Sequence, residues 1–343
     1  MEEVEMSGPR LALVFPGQGA RHPGMGRLWA GRPGWFLAGR ASEVSGRDVE
    51  ELLLRADGER LSRTGNAQLA TFVLEMVILD ELRRVLPAAA RPRACAGHGV
   101  GEYAALVAAG IVDFDDAVRL VTARGEAMSR AAREAYASER GAMAAVLGLS
   151  AQALHGAAES VRADGGRVWV AGLDSPRQTV LSGEARSVDR CCAVALEMGA
   201  DRIEPVQAAG AFHTPLMAPA AAAFAGALAR TEFRTGFAPV VANADARPHH
   251  GPGDWPGLLE TQLTGPVMWS DSVKTMADGL YCDMVVEVGP GRTLTALARQ
   301  TAPWMSRLTI GEPGQLPAVP GTFVPYAPVR DGLVRDGLVR SMA

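Results

Sequence analysis

Short apolar runs alternate with longer segments of helical periodicity in the first part of the chain. Leu11–Phe15 is an unbroken apolar run that ends in Pro16-Gly17, which predicts a buried strand followed by a tight loop. Residues 67–86 place apolar side chains at helical spacing, and the pattern then predicts a strand over 93–98 and a long helical region over 101–137. Strands and helices that alternate in this way are typical of α/β proteins with a parallel sheet.

Residues 141–207 show a different order of elements. Strands are predicted at 142–149, 168–171, 178–181 and 201–206, and helices at 151–163 and 185–198. The resulting order, β-α-β-β-α-β, is the split arrangement of ferredoxin-like modules. We therefore expect this stretch to form a small subdomain inserted into a larger one, which resumes at Gly210.

The segment 97–102 reads Gly-His-Gly-Val-Gly-Glu and lies between a predicted strand and a predicted helix. Strand, sharp turn and helix form the layout of a nucleophile elbow, G-x-S-x-G, which exposes a serine at the tip of the turn. In this chain Gly99 stands where the serine should be. The spacing of the motif is intact, but the hydroxyl group is absent.

These patterns together predict an α/β fold with two subdomains and a tail. The large subdomain, over 8–139 and 208–305, is expected to be α/β-hydrolase-like, and the ferredoxin-like small subdomain occupies 140–207. Residues 306–343 are Pro-rich and then carry a tandem pentad, Val-Arg-Asp-Gly-Leu, over 329–338. A C-terminal tail is the expected form of this last stretch.

Composition and charge exclude several classes of protein. The net charge is −4 and the chain has no basic stripe, which argues against a nucleic-acid surface. No apolar run approaches the roughly 20 residues that span a bilayer, and the acidic N-terminus lacks an apolar signal region. The four cysteines show no C-x-x-C spacing, as expected of free thiols in a reducing compartment. We therefore expect a cytoplasmic protein that binds neither membrane nor nucleic acid.

Five separated segments resemble one protein family when they are taken in order. They are Phe15–Gly19, the elbow at 97–102, Arg124-Gly125 with Met128, Gly210–His213 with Pro215–Met217, and Val286–Gly291. The set is similar to the malonyl-CoA:acyl-carrier-protein transacylases and to the acyltransferase domains of polyketide synthases. The resemblance extends over about residues 8–305.

The resemblance implies a two-step transfer of an acyl group between thiols. The elbow residue takes the acyl group from a coenzyme A thioester and passes it to the phosphopantetheine thiol of an acyl carrier protein. His213 matches the base that activates the elbow nucleophile, because a serine needs such a base within hydrogen-bond reach. The backbone N–H groups of Gln18 and Val100 match the oxyanion hole. No metal and no permanently bound cofactor are implied.

The resemblance also implies a dicarboxylic acyl unit. Arg124 matches the arginine that pairs with the free carboxylate of a malonyl group, since a guanidinium can hold a carboxylate through two parallel bonds. Phe212 lies in an Ala-Phe-His pattern that goes with malonyl rather than methylmalonyl units, and Val100 is malonyl-like. His98 is the further expected substrate-binding residue. Asp174 departs from the family, which often has asparagine at this position.

The expected protein is therefore a stand-alone malonyl transferase of a polyketide or related secondary-metabolite pathway. Its partners would be acyl-CoA, an acyl carrier protein and polyketide synthase modules. Gly99, however, closes the covalent route, because glycine has no side chain to acylate. The sequence predicts no other nucleophilic side chain at the elbow. The candidates considered are Cys95, Ser129, Ser182 and Thr214.

Three explanations of Gly99 stay open at this point. The glycine is an engineered replacement, or a natural loss that leaves a non-catalytic scaffold for carrier proteins, or part of a changed mechanism. In the last case His213 activates water or a thiol directly against a bound thioester. In each case the fold should persist, because glycine relieves the strain that a positive φ imposes on other residues at such a turn.

Overall fold

Two β-sheets organise the computed structural model, which describes residues 9–86, 91–135 and 140–316. The strands of this part of the chain are β1 (Leu11–Phe15), β2 (Ala94–Gly97), β3 (Gly141–Leu147), β4 (Val168–Ser175), β5 (Gln178–Glu184), β6 (Arg202–Val206), β7 (Val240–Val241), β8 (Pro248–His249), β9 (Met284–Val288) and β10 (Ser306–Ile310). The α-helices are α1 (Phe36–Ser45), α2 (Val49–Leu54), α3 (Gly58–Ser62), α4 (Thr64–Val85), α5 (Gly101–Ala109), α6 (Phe114–Ala135), α7 (Ala151–Ala163), α8 (Ala185–Glu197), α9 (Ala218–Leu228), α10 (Trp255–Thr264), α11 (Trp269–Lys274) and α12 (Thr293–Thr301).

The large sheet has the strand order β10-β9-β1-β2-β7-β8, and all its pairings except β7–β8 are parallel. Every residue of β1 and of β9 is buried, as expected of strands covered on both faces. The unbroken apolar run predicted as a strand is thus the central strand β1. In parallel sheets of this kind, ligands bind beyond the carboxyl ends of the strands.

The helical region predicted over 101–137 is in fact two helices. Helix α5 ends at Ala109 because Gly110 adopts a left-handed conformation with φ of +78°, and α6 begins at Phe114. The helix predicted over 67–86 is α4, which begins three residues earlier and is buried along most of its length. In the described part of the chain, no helix is both long and apolar enough to cross a membrane.

The small antiparallel sheet has the strand order β4-β5-β3-β6 and carries α7 and α8. Its elements follow the predicted β-α-β-β-α-β order, and the predicted α/β fold class is confirmed. Strands β4 and β5 are longer than predicted. Ser150 caps α7, since its hydroxyl oxygen accepts a hydrogen bond from the Ala153 N–H.

The predicted boundary between core and tail at residue 306 is wrong. Strand β10 pairs in parallel with β9 and forms an edge of the large sheet. Ile310 and Leu316 are buried, and the indole Nε1 of Trp29 donates a hydrogen bond to the Gly311 carbonyl oxygen at 3.2 Å. The core therefore continues to residue 316, since apolar burial and strand pairing persist past the Pro-rich onset. The tandem pentad at 329–338 lies outside the described residues.

Two glycines allow β1, β2 and α5 to meet without a gap. A Cβ atom on Gly97 would lie 2.0 Å from the Gly101 backbone, and one on Gly101 would lie 2.2 Å from the Phe15 carbonyl oxygen. Gly99, between them, differs: the nearest atom to its Cβ position is 3.6 Å away, but its φ is +59°. The first two glycines are required by packing, whereas Gly99 is favoured by backbone conformation alone.

We expect Gly97→Ala to destabilise the protein far more than Gly99→Ala. The first change forces backbone atoms apart and should lower the free energy of unfolding by about 3 kcal/mol. The second has room for its methyl group and should cost only about 1 kcal/mol, through the positive φ. Urea unfolding followed by circular dichroism measures both values. Equal losses for the two variants would show that this account of the elbow packing is wrong.

Candidate active site

A cavity of about 520 Å³ lies between the carboxyl ends of the large sheet and the small subdomain. The large subdomain contributes the loop after β1, the elbow and the start of α12, and the small subdomain contributes parts of β3, β4, β5 and β6. All the site residues predicted from the sequence line this cavity, namely Gln18, His98, Gly99, Val100, Arg124, Phe212 and His213. Residues separated by more than a hundred positions are thus brought together.

His213 faces the empty position at residue 99. Its Nδ1 lies 2.8 Å from the carbonyl oxygen of Gln262, which can only accept, so Nδ1 carries the hydrogen and Nε2 keeps a free lone pair. Nε2 is 3.6 Å from the place where a side chain on Gly99 would begin. Burial, together with the charge of Arg124, lowers the pKa of His213 to about 3. The imidazole is therefore neutral at physiological pH and oriented as a base.

His213 has an unusual backbone conformation, with a φ of +59°. Such a conformation costs a residue with a Cβ about 1–3 kcal/mol and persists only where the surrounding structure imposes it. Here the hydrogen bond to Gln262 and the burial of the adjacent Phe212 hold the segment in place. Strain of this kind is concentrated at functional sites.

Arg124 is a buried cation on α6, with only 2% of its surface exposed. Its Nη2 donates to the side-chain oxygen of Gln262 at 2.8 Å, and its guanidinium carbon lies 5.7 Å from the centre of the Tyr103 ring. Within the described residues, Nε has no hydrogen-bond partner. A buried guanidinium without a directly bonded carboxylate can accept one from a ligand.

The side chain of Gln262 connects Arg124 to the elbow. Its Nε2 donates to the Gly99 carbonyl oxygen at 2.9 Å and also to the carboxylate of Glu102. Its Oε1 accepts from Arg124, and its backbone carbonyl accepts from His213. One buried residue on α10 therefore contacts the cation, the base, the elbow and the first turn of α5.

Asn243 holds the other side of the elbow. Its side-chain oxygen accepts from the Gly99 N–H at 2.8 Å, and its side-chain amide donates to the Gly97 carbonyl oxygen. Its backbone N–H donates to Glu102 at 2.7 Å. Burial raises the pKa of Glu102 to about 7, although the hydrogen bonds from Asn243 and Gln262 and the charge of Arg124 oppose the rise.

The sequence analysis did not assign roles to Asn243, Glu102 or the Gln262 side chain. Glu102 ends the elbow segment, so it was visible as a motif residue. Asn243 follows the two-residue strand β7 and has no sequence signal of its own. Its role depends entirely on the pairing of β7 with β2.

Gln18 and Val100, whose N–H groups are the predicted oxyanion hole, both line the cavity. Gln18 begins a 3₁₀ turn after β1 and Val100 precedes α5, and in the described residues neither N–H bonds to another backbone group. A Cβ on Gly17 would lie 2.9 Å from the His98 carbonyl oxygen, so this loop packs directly on the elbow. The oxyanion hole at these two residues stays a prediction.

His98 and Asp174 form a polar contact across the cavity. Nε2 of His98 lies 3.1 Å from Oδ1 of Asp174, whose Oδ2 accepts from Gln178 at 2.9 Å. His98 belongs to the elbow and Asp174 to β4 of the small subdomain. The departure from asparagine noted in the sequence therefore places a carboxylate against the elbow histidine.

The alternative nucleophiles considered from the sequence do not line the cavity. Cys95 is buried in β2, and burial raises the pKa of its thiol to about 12. The hydroxyls of Ser129 and Thr214 donate to nearby carbonyl oxygens of Gly125 and Ala211, and Ser182 is buried in β5. None of these groups is placed to replace a serine at position 99.

The fold and the cavity define an α/β acyl-transfer protein with a nucleophile elbow, an opposed histidine and a buried arginine. The chain belongs to the acyl transferase domain family, which matches residues 12–310. It is 34% identical over 307 residues to the malonyl CoA-acyl carrier protein transacylase of Bacillus subtilis, covering 89% of this chain and 94% of that protein. The transacylase of Escherichia coli K12 is also 34% identical, with 90% and 98% of the two chains covered.

Solved structures show the same similarity. The malonyl CoA-acyl carrier protein transacylase of Coxiella burnetii has a TM-score of 0.86 and 30% identity, with 93% of this chain and 99% of that chain covered. A malonyl-transacylase in complex with its type II polyketide synthase acyl-carrier protein has a TM-score of 0.84 and 32% identity, with 90% and 98% covered.

We expect Gln262→Leu to destabilise the protein by about 3 kcal/mol, because it removes the side-chain partner of the buried Arg124 Nη2 and one of the two hydrogen bonds to the buried Glu102. Gln152→Leu on α7 is a matched control at an exposed position, where a change within about 0.5 kcal/mol is expected. Urea unfolding at pH 8 gives both free energies. Similar small losses in the two variants would refute the role of Gln262 as the link in this network.

Proposed function

We propose that this protein binds malonyl-CoA and an acyl carrier protein, and transfers the malonyl group without forming an acyl-enzyme. In this proposal His213 activates the acceptor, either the carrier thiol or water, directly against the bound thioester. The observation that carries the proposal is the neutral His213, whose free Nε2 faces the space left by Gly99 at 3.6 Å. A base oriented in this way can activate an acceptor that occupies that space.

The proposed step is a single nucleophilic substitution at the thioester carbonyl. Nε2 of His213 takes the proton from the acceptor, and the acceptor sulfur or oxygen bonds to the carbonyl carbon. The N–H groups of Gln18 and Val100 stabilise the oxyanion that forms. The carbon–sulfur bond to coenzyme A then breaks, and the departing thiolate takes the proton back from His213. The products are coenzyme A and either malonyl-carrier protein or malonate.

Arg124 and Phe212 support a malonyl group as the acyl unit. The buried guanidinium of Arg124 can pair with the free carboxylate of a malonyl group, which a neutral acyl chain lacks. Phe212 is buried beside the cavity, and its ring would lie 2.9 Å from a Cβ on Gly210, which indicates a closely packed wall. A wall of this kind would favour the unbranched unit by about 1–3 kcal/mol.

The relatives support the two proposed substrates. The similar proteins of Bacillus subtilis and Escherichia coli are malonyl CoA-acyl carrier protein transacylases. The similar structure with a type II polyketide synthase acyl-carrier protein supports a carrier protein as the acceptor. A setting in polyketide biosynthesis, with synthase modules as further partners, and a cytoplasmic location belong to the same proposal.

We expect the unaltered chain to turn over labelled malonyl-CoA without becoming labelled itself. Coenzyme A release, with malonyl-carrier protein or malonate as co-product, should be detectable by chromatography. His213→Ala should lower the rate about 100-fold or more, because it removes the general base. If the carrier protein binds but coenzyme A is not released above the uncatalysed rate, the protein is a scaffold and the one-step mechanism is wrong.

We expect Gly99→Ser to restore covalent acylation. The new Cβ would lie 3.6 Å from Nε2 of His213, so the hydroxyl, one bond further, comes within hydrogen-bond reach of the base. Incubation with labelled malonyl-CoA, followed by gel fluorography, should show one label per chain. Gly99→Ala is the control, since it adds the Cβ without the hydroxyl and should stay unlabelled. An unlabelled Gly99→Ser variant that is folded would contradict the proposed malonyl-CoA site.

A further inference from the structure

His249 contacts two carboxylates, one through each ring nitrogen. Its Nε2 lies 3.0 Å from Oδ2 of Asp245, and its Nδ1 lies 3.0 Å from Oδ2 of Asp254. Carboxylate oxygens only accept hydrogen bonds, so both contacts are hydrogen bonds when both ring nitrogens carry a hydrogen. This arrangement is that of a protonated imidazolium between two negative groups.

The ring is held in place by packing as well as by charge. Only 16% of the His249 side chain is exposed, and its ring meets the buried indole of Trp255 edge-on, at 5.8 Å between centres. Burial by itself lowers the pKa of His249, but the hydrogen bonds and charges of Asp254 and Asp245 outweigh it and raise the pKa. These two aspartates are the charged groups bonded to the ring, and Arg247 contributes its backbone N–H to Asp245.

The two aspartates lie on different segments of the chain. Asp245 lies in the turn between β7 and β8, two residues after Asn243. Asp254 directly precedes α10, the helix that carries Gln262. His249 therefore joins the turn that positions Asn243 to the start of the helix that positions Gln262.

Asn243 and Gln262 hold Gly99 from opposite sides. Asn243 accepts from the Gly99 N–H at 2.8 Å, and Gln262 donates to the Gly99 carbonyl oxygen at 2.9 Å. The turn has other attachments as well: β7 pairs with β2, the Met268 N–H donates to the Asn243 carbonyl oxygen at 2.9 Å, and the Ala246 carbonyl oxygen accepts from Thr275 at 2.8 Å. These contacts tie the turn to β2 and to the two ends of α11, whereas the His249 contacts tie it to the start of α10.

We propose that His249 is a positioning residue that keeps the elbow in its active geometry by tying the β7–β8 turn to α10. It does not touch the cavity, and it acts through Asn243 and Gln262. Its effect on the rate rests on the proposed function, whereas its effect on the elbow does not.

The connection should weaken as the pH rises. A histidine whose pKa is raised in the folded state contributes its full stabilisation below its pKa in the unfolded chain, and that contribution is lost as the pH rises through the folded value. Neutral His249 can donate to only one of its two aspartates. Asp245 also raises the pKa of Glu102, so this partner of His249 acts on the elbow network electrostatically as well.

Amide hydrogen exchange at Gly99 tests the inference without any assay of activity. In the full-length protein, His249→Gln should speed exchange of the Gly99 N–H about tenfold relative to its intrinsic rate, because its bond to Asn243 opens more often. The protection in the unaltered chain should fall with rising pH in step with the His249 titration, followed by NMR of the ring. In His249→Gln the part that follows the His249 titration should be absent, whereas the part that follows Glu102, whose pKa burial raises to about 7, should remain. His155→Gln, at an exposed position on α7, is the matched control and should leave exchange unchanged.

The Gly99→Ser background supplies the second readout. There, His249→Gln should lower the rate of self-acylation by malonyl-CoA about tenfold and remove its decline at alkaline pH. If His249→Gln lowers the unfolding free energy but leaves both Gly99 exchange and the pH profile unchanged, His249 is structural only and the inference is overturned. If exchange changes as expected while Gly99→Ser stays unlabelled, the inference stands and the proposed function fails.

Discussion

The buried amide of Gln262 is the contact on which the rest of the site depends. It forms hydrogen bonds with the guanidinium of Arg124, the carboxylate of Glu102 and the carbonyl oxygen of Gly99. In a region screened from water, each of these groups would be costly without a partner, so the network has few alternative arrangements. Its backbone carbonyl also decides the tautomer of His213, since it requires the hydrogen on Nδ1. One residue therefore contacts the Arg124 cation, His213 and one side of the elbow, while Asn243 holds the other side.

Gly99 takes part in this network through its backbone alone. Both of its backbone polar groups are bonded, the N–H to Asn243 and the carbonyl to Gln262, and neither bond needs a side chain at position 99. The positive φ at Gly99 costs glycine nothing, whereas His213 carries a comparable φ with its Cβ present. His213 therefore carries backbone strain that Gly99 does not.

The small subdomain contributes more than a wall of the cavity. Strand β4 is tied to the large subdomain by backbone hydrogen bonds between Ala171, Leu173 and Val267, and by the contact of Asp174 with His98. The pairing of β4 with β5 shifts register at the residues that contact Val267. Such irregularities allow an edge strand to bend toward another element. The side chain of His98, next to Gly99, is thus held by a residue on the opposite side of the cavity. Both subdomains therefore contact the elbow.

The sequence by itself determined those features that local patterns encode. Periodicity placed β1, α4 and the order of the small subdomain, and the glycine spacing at 97–101 placed the elbow, because strand, turn and helix preferences act over a few residues. The ordered motifs identified Arg124 and His213 before any geometry was known. Only the tertiary structure placed Asn243 and Gln262 around Gly99, and only it extended the core through β10, beyond the expected start of the tail. These contacts join residues far apart in the chain, and their side chains acquire a role only when strand pairing and burial leave polar groups that must find partners.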